Sequence, residues 1–476
     1  MVNGSTSTAT ITSLLDGIEN FNTLEEVILQ IARRLLVAVL EALDDTLMPA
    51  KPKGYRIAGF RYRTITCLYG DITFKRRLYV KATRKKKRGE GRFLLDEALN
   101  LRQGKRLTGR LLKLAVSLAT RLPFRQAAEI MAEAGMGQLS HMTIHSEVKR
   151  NGLEQKELQE ALRNNLFMSG EEPQGKKKKV PVLFIEADGI MIPLQRSKQD
   201  RIEVKVGIVY EGWIEKGNAR HLKNPRVVMG IYEDGEQFWE ALTTEIARYY
   251  EIDEKTIYVV NGDGASWVQK TAKEQLPGAI VQLDRYHLHR DIRQAYGNET
   301  AQGLMKILAK GQEQVFLDTL EALIEEAPNR KNKQQRQKVY DYCQRYRDNL
   351  LDYRLRLPRQ LEGQKLYGMG VAETTVDKKI AIRMKKRGMS WSEAGATAMV
   401  ALLMLKANGE LAAWLEKKMP QVEKNPVKVI KEKKISKEDV EEWLRKRVPA
   451  LVGPEAGTDW VKYTMRQLTR ISGAIF

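Results

Sequence analysis

Cysteine is almost missing from this chain. There are two, Cys67 and Cys343, far apart, and no CxxC pair. That excludes a zinc knuckle by ligand count, and two lone thiols suit a reducing compartment. Long apolar runs are missing too. The longest candidate, AGATAMVALLMLKANGE at 394–410, is too short to span a bilayer and reads as a buried helix. The first residues, MVNGSTSTATITSLLDGIENF, hold no basic segment followed by an apolar core, so no signal peptide is expected. No GxxxxGK[ST] loop is present, so ATP is not called for. Acidic residues are in deficit, 60 against 81 Lys and Arg, which leaves a net charge of +21. Such a balance is silent on fold but favours a polyanionic partner. The expectation is a cytoplasmic protein with basic surfaces and no membrane association.

At 476 residues the chain is long for one core, and two to four domains are expected. A helical segment over 1–50 comes first, with Leu24, Val27, Ile28, Ile31, Leu35 and Val39 on one face. Alternating β-branched and aromatic residues around a YGD turn predict a hairpin within 51–100, followed by a basic loop at 83–92. The segment 101–170 reads as helical. Within it, a helix from Phe124, a break at Gly135 and a second helix capped by Ser140 form the pattern of a helix-turn-helix, with an ordinary helical hairpin as the alternative. His145, Lys149 and Arg150 on the second helix are candidate DNA contacts.

Beyond a lysine-rich linker the pattern changes. Three strand-like runs, an amphipathic helix, then strands alternating with helices fill 180–300. That order predicts an α/β core with a ribonuclease H-like mixed sheet flanked by helices. A polar helical insertion spans 301–365, and 366–476 completes the core and adds C-terminal helices.

The first run, VPVLFIEADGIMIPL at 180–194, carries Glu186, Asp188 and Gly189 in its middle. A carboxylate at the end of a buried strand is costly unless paired. Asp188-Gly189 is either a hairpin turn or half of a cation site. Asp263 follows a second apolar strand in VVNGDG, and in the predicted sheet it lies beside Asp188. Asp284 and His287, in LDRYHL, share a face at a helix start. Glu373, Val376, Ile380 and Met384 fall on one helical face, which predicts a carboxylate turned towards the core; Glu362 and Glu393 are its rivals. Three converging carboxylates repel one another unless cations intervene, and a pair of Mg²⁺ ions suits such oxygen ligands. Lys378, Lys379, Arg383, Lys385, Lys386 and Arg387 crowd the Glu373 segment, and KRRLYVKATRKKKR at 75–88 forms another basic patch. Trp267 and Trp391 are expected to pack in the core rather than stack on bases.

These motifs resemble those of bacterial insertion-sequence transposases of the DDE type, the ISLre-type family in particular, which is related to Mutator-like transposases. FIEADGI matches the first Asp, VVNGDGASWV the second, LDRYHL the (Cys or Asp)-x-x-His motif, and GVAETTVDKKIAIRMKKRGMSWSEAGA the stretch with the Glu. The resemblance spans most of the chain. It implies Asp188, Asp263 and Glu373 as a metal-binding catalytic triad supported by Asp284 and His287, with two Mg²⁺ ions, or Mn²⁺ in their place. It also implies double-stranded DNA partners, the element ends and the target, joined by at least a homodimer in the active complex. Two other readings stand beside it: a DNA-binding relative without catalysis, and a ribonuclease H-like nuclease or resolvase that cuts without joining.

Overall fold

The computed structural model describes residues 18–81, 91–101, 104, 106–175, 177–253, 255–357 and 365–417. Most of the expected basic loop, Glu362 and the part of the C-terminal helices beyond 417 lie outside the described residues. The chain divides into two compact units, one holding residues up to Leu114 with Ala128–Leu139 and the chain from Glu416, the other Ala115–Ala127 and Ser140–Leu415.

In the first unit, helix α1 (Phe21–Thr46) starts at a capping box. The Asn20 side chain accepts from the Thr23 N–H, and the Thr23 hydroxyl oxygen accepts from the Asn20 N–H. Strands β1 (Tyr55–Cys67) and β2 (Gly70–Lys81) form the expected antiparallel hairpin, closed at Gly70 with φ of +99°. Leu40 of the helix packs with Ile65, Cys67, Ile72 and Phe74 of the hairpin. The buried stripe of α1 differs from the expected one: Val27, Leu40 and Asp44 are buried, whereas Ile28, Leu35 and Val39 are exposed. The helix is apolar over more than one stripe, and the hairpin covers only one of them.

The basic character of β2 is also partly turned inward. Arg76 is buried, pairs with Asp96 at 2.8 Å and lies over the Phe93 ring. Arg77 pairs with Asp44 at 2.8 Å and Asp45 at 2.7 Å. At this end the expected patch reduces to Lys75 and Lys81 on the surface.

The second unit is built on a five-stranded sheet. Helix α2 (His141–Ser169) leads into strands β3 (Val182–Pro193) and β4 (Arg201–Tyr210), a small hairpin β5 (Trp213–Lys216) and β6 (Ala219–Leu222), then β7 (Arg226–Gly230). Helix α3 (Gly235–Tyr249) crosses to β8 (Ile257–Gly262), and two short helices lead on to β9 (Ile280–Leu283). Strand order is β7-β4-β3-β8-β9. The first three strands pair antiparallel, β8 runs parallel to β3, and β9 parallel to β8. The molecule is thus mixed α/β, with a mixed sheet flanked by helices, and the strand directions are those the sequence predicts.

Alternation sorts the faces of β3. Val182 and Phe184 join Ile208, Tyr210, Val259, Tyr353 and Ala372 in one core cluster. The opposite face meets α3, where a Cβ on Gly207, the partner of Ala187, would meet Leu242 at 2.7 Å and Phe238 at 3.0 Å.

After β9 come four helices, α4 (Arg285–Tyr296), α5 (Asn298–Ala309), α6 (Glu313–Glu325) and α7 (Arg330–Arg345), with a core of their own that includes Ile292, Leu304, Phe316 and Cys343. A helical run follows: α8 (Ala372–Val376), a π turn over Asp377–Ala381, and a last turn to Met384. Helix α9 (Glu393–Ala407) is buried from Ala398 to Leu405 without a break, which accounts for its apolar composition. Among the described residues no single helix is long and apolar enough to cross a membrane.

The helical pair foreseen around Gly135 forms, with Gly135 at φ of +69° and the Ser140 hydroxyl capping the Thr143 N–H at 3.1 Å. Its second member, α2, is however 29 residues long and packs along α9, with Ile144, Val148, Asn151 and Gly152 buried. It is a core helix of the second unit, much longer than a short recognition helix needs to be.

The α2–α9 contact is close enough to demand a glycine. A Cβ at Gly152 would stand 2.1 Å from the Ala398 carbonyl oxygen. Gly152→Ala should therefore destabilise the protein by about 1–3 kcal/mol despite the better helix propensity of alanine. Thermal unfolding followed by circular dichroism checks this.

Candidate active site

Asp188 does not sit in a turn. β3 continues through it to Pro193, with Asp188 opposite Val206 and Gly189 opposite Lys205. A Cβ at Gly189 would come within 2.5 Å of a Glu203 carboxylate oxygen, so the glycine serves close packing rather than a reversal of the chain. On the other side the parallel ladder with β8 ends at the pair Ala187 and Gly262. The next residue on each strand is Asp188 and Asp263. Neighbouring strands lie about 4.8 Å apart, so the two carboxylates leave the sheet side by side.

Each aspartate accepts from a backbone N–H close after it in sequence. The Asp188 carboxylate accepts from the Gly189 N–H at 2.8 Å, and Asp263 from the Ala265 N–H at 3.0 Å. The Asp263 backbone is braced further. Gln269 donates to the carbonyls of Gly262 and Asp263, and the Tyr346 hydroxyl donates to the Gly264 carbonyl at 2.8 Å. Burial pushes the Asp188 carboxyl above its ordinary range; the Gly189 N–H and His287 pull it down, while Asp263 and Asp284 push it up. Asp188 thus feels three other residues singled out in the sequence.

Asp284 is the N-cap of α4. One oxygen accepts from the N–H groups of Tyr286 and His287 at 3.0 Å, the other from the Asn261 side chain at 2.8 Å. Its donors are supplied by the protein, so its first task is structural. His287 differs. Its Nδ1 lies 3.8 Å from Asp284, too far for a hydrogen bond, and is buried with no partner. The ring nitrogen is thus left without a hydrogen-bond partner beside the carboxylates.

Glu373 is exposed, contrary to the expected core-facing position. Ala372, Val376, Ile380 and Met384 are buried, so the buried stripe runs in i, i+4 steps through Ala372 and leaves Glu373 beside it. Glu373 still acts on Arg290 of α4, the helix that carries His287. The rival Glu393 accepts from the Ser197 hydroxyl.

One residue was quoted in the sequence but given no role. Glu186 is fully buried, two positions before Asp188. One of its oxygens accepts from the Tyr210 hydroxyl at 2.7 Å; the other accepts from the N–H groups of Gly370, Val371 and Ala372 at 2.9, 2.7 and 3.1 Å. The signal was a charged residue in phase with Asp188 inside an otherwise apolar strand.

The basic residues divide. Lys378, Lys379, Lys385, Lys386 and Arg387 are exposed, with Lys386 paired to Asp377 at 2.6 Å. Arg383 is a correction: it is buried, donates to the Ala119 carbonyl at 2.6 Å and lies against Phe124 and Trp391. Burial brings its pKa down to about 10. Its guanidinium is committed to the core. His145 is half-buried with its ring edge-on to Phe124, so it too belongs to packing, while Lys149 and Arg150 are exposed and Arg150 pairs with Glu147. Trp391 is buried and Trp267 packs edge-on to Phe238, as expected.

Among the described residues no three His, Cys, Asp or Glu side chains stand as a ready cation site. The donor set of Asp188 and Asp263 nevertheless fits a hard divalent cation, being paired carboxylates with one of them disfavoured as a bare anion by burial.

The fold and these residues define a mixed α/β protein with two aspartates set side by side where a parallel ladder ends. The chain belongs to an uncharacterised protein family, UPF0236, whose model matches residues 14–421. It is 28% identical over 398 residues to the UPF0236 protein in the vanSb 3′ region of Streptococcus gallolyticus, covering 81% of this chain and 82% of that protein. It is also 23% identical over 386 residues to a UPF0236 protein of Caldanaerobacter subterraneus subsp. tengcongensis, covering 80% and 75%; the name of that relative joins eleven locus labels.

A raised carboxyl pKa makes the folded state less stable as pH rises from the ordinary carboxylate value through the raised one, so the penalty is fully present at neutral pH. Asp188→Asn, which keeps the bond from Gly189, should stabilise the metal-free protein by about 1 kcal/mol at neutral pH, with the gain fading in acid. Thermal melts across a pH series, without divalent ions, check it.

Proposed function

We propose that the protein is a DDE-type DNA transposase with a ribonuclease H-like catalytic core. The observation that carries this reading is the pairing of Asp188 and Asp263 one residue past the last rung of a parallel ladder, in a sheet of order β7-β4-β3-β8-β9. The free, buried nitrogen of His287 and the arrival of the Glu373 segment at the same strand add to it. The printed name of one relative, with eleven locus labels in one strain, also supports it, since a gene that copies itself about a genome leaves such a trace.

Asp188 and Asp263, with Glu373 as the third carboxylate, would hold two Mg²⁺ ions, or Mn²⁺ in their place. The ions supply Lewis acidity for phosphodiester chemistry. The protein's own residues bind and orient. His287 supports the carboxylates from α4, and the exposed Lys378, Lys379, Lys385, Lys386 and Arg387 grip the DNA backbone, with Lys149 and Arg150 further contacts. A water oxygen attacks phosphorus at the element end, breaking the bond to the 3′ oxygen. The freed 3′-hydroxyl then attacks a target phosphorus, forming a new P–O bond to the element as the bond to the target's own 3′ oxygen breaks; that oxygen leaves as a 3′-hydroxyl, taking up the proton the attacking hydroxyl gives up. Two ends must meet, so the active complex is at least a homodimer, working in the cytoplasm on the nucleoid.

The test is divalent-ion-dependent cleavage of a duplex carrying the element's own end. Wild type should cut at the end, and Asp188→Ala, Asp263→Ala and Glu373→Ala should each bind the duplex but cut at least about 100-fold more slowly. Normal cutting by Glu373→Ala would remove it from the triad. A wild type that binds ends but cuts under neither Mg²⁺ nor Mn²⁺ would hand the reading to a non-catalytic DNA-binding protein.

A further inference from the structure

Glu186 has no contact with solvent and no basic partner, yet it sits in the central strand of the sheet. A carboxylate in such a place is tolerated only when its oxygens are saturated with donors. Here four donors serve it, and three of them are consecutive backbone N–H groups. Those three belong to the segment that opens the helical run Ala372–Met384, whose first N–H groups have no partner within the helix. A charged acceptor at this end gains both from the charge-assisted bonds and from the helix dipole. Tyr210, on the neighbouring strand, fixes the other oxygen, so the carboxylate cannot swing.

The consequence lies in the register. Residues i and i+2 of a strand project from the same face, so Glu186 and Asp188 share one. The last N–H held by Glu186 is that of Ala372, the residue before Glu373. The chain between these carboxylates is long, but through this one side chain Glu373 is tied to the strand of Asp188.

We propose that Glu186 is a positioning residue, which with Tyr210 holds the Glu373 segment against the Asp188 strand and so sets the distance between two carboxylates of the site. The proposal rests on the functional reading above. Glu186 touches neither substrate nor ion; it acts through the backbone of residues 370–372.

The full chain is compared with Glu186→Gln, Glu186→Ala, Tyr210→Phe and, as a control for general loss of stability, Val228→Ala on strand β7. Amide hydrogen exchange at 370–372 reads the anchor without reference to function. Mn²⁺ binding, followed by electron paramagnetic resonance, reads the site. Glu186→Gln keeps a neutral acceptor, so it should fold even if Glu186→Ala does not. It should speed exchange at these amides at least about tenfold and weaken Mn²⁺ binding roughly 10-fold. Tyr210→Phe should move both in the same direction by less, and Val228→Ala should leave Mn²⁺ binding alone. Unchanged exchange in Glu186→Gln overturns the anchor. Faster exchange with Mn²⁺ affinity intact overturns the positioning role and leaves Glu186 a structural residue. A wild type that binds no Mn²⁺ overturns the metal-dependent reading and positioning of a metal site with it, while the exchange result still judges the anchor.

Discussion

A carboxylate sealed from water in the middle of a sheet must find its donors inside the protein, and much of the second unit is arranged around that demand at Glu186. Tyr210 brings one donor across from the next strand, and the segment 370–372 brings three from far along the chain. The core cluster beside them, Phe184, Tyr210, Tyr353 and Ala372, encloses the same point. Because an unsatisfied buried charge is far more costly than an unmade neutral contact, the return of the chain to this strand is closely specified. Apolar packing alone would allow the helical run to slide; a carboxylate that needs three successive N–H groups does not.

The sheet was legible because its signal is redundant. Apolar runs in β3, β8 and β9, buried on both faces, and the alternation of strand with helix point the same way, and Asp188 and Asp263 fall where that topology predicts. The orientation of Glu373 was not legible. Positions 372 and 373 both stand one turn before Val376 on neighbouring faces, and it is Ala372 that the core takes in. The strand passing straight through Asp188-Gly189 was missed for a related reason: Asp-Gly is a turn signal in isolation, and only pairing with Val206 and Lys205 overrides it. The role of Glu186 was out of reach, because its partners are backbone groups that no side-chain pattern reveals.

Charge shows the same division between what composition tells and what it hides. A net +21 says that basic groups are plentiful, not where they point. Arg76, Arg77 and Arg383 look like surface residues within basic runs, yet each is drawn inward by an acid, an aromatic ring or a carbonyl. Arginine suits such duty, since its planar head can donate and stack at once. What remains outside near the site is mostly lysine, at 378, 379, 385 and 386. Lysine is a compact, strongly hydrated point charge, which suits it to the water-facing side of this segment.

The helices after β9 enclose a core of their own, and one of them, Arg330–Arg345, ends just before Tyr346, whose hydroxyl bonds to the carbonyl of Gly264 next to Asp263. Tyr342 fills the space beside the same glycine, so closely that even a methyl group there would collide with its ring. The bundle therefore works as a buttress: the loop that bears the second aspartate leans on a body with its own rigidity instead of relying on the strand behind it. A long helical addition after the last strand of a sheet usually reads as an ornament added to a finished core. Here the loop of one carboxylate would keep its bonds from Gln269 but lose the support of two tyrosines if that ornament were cut away.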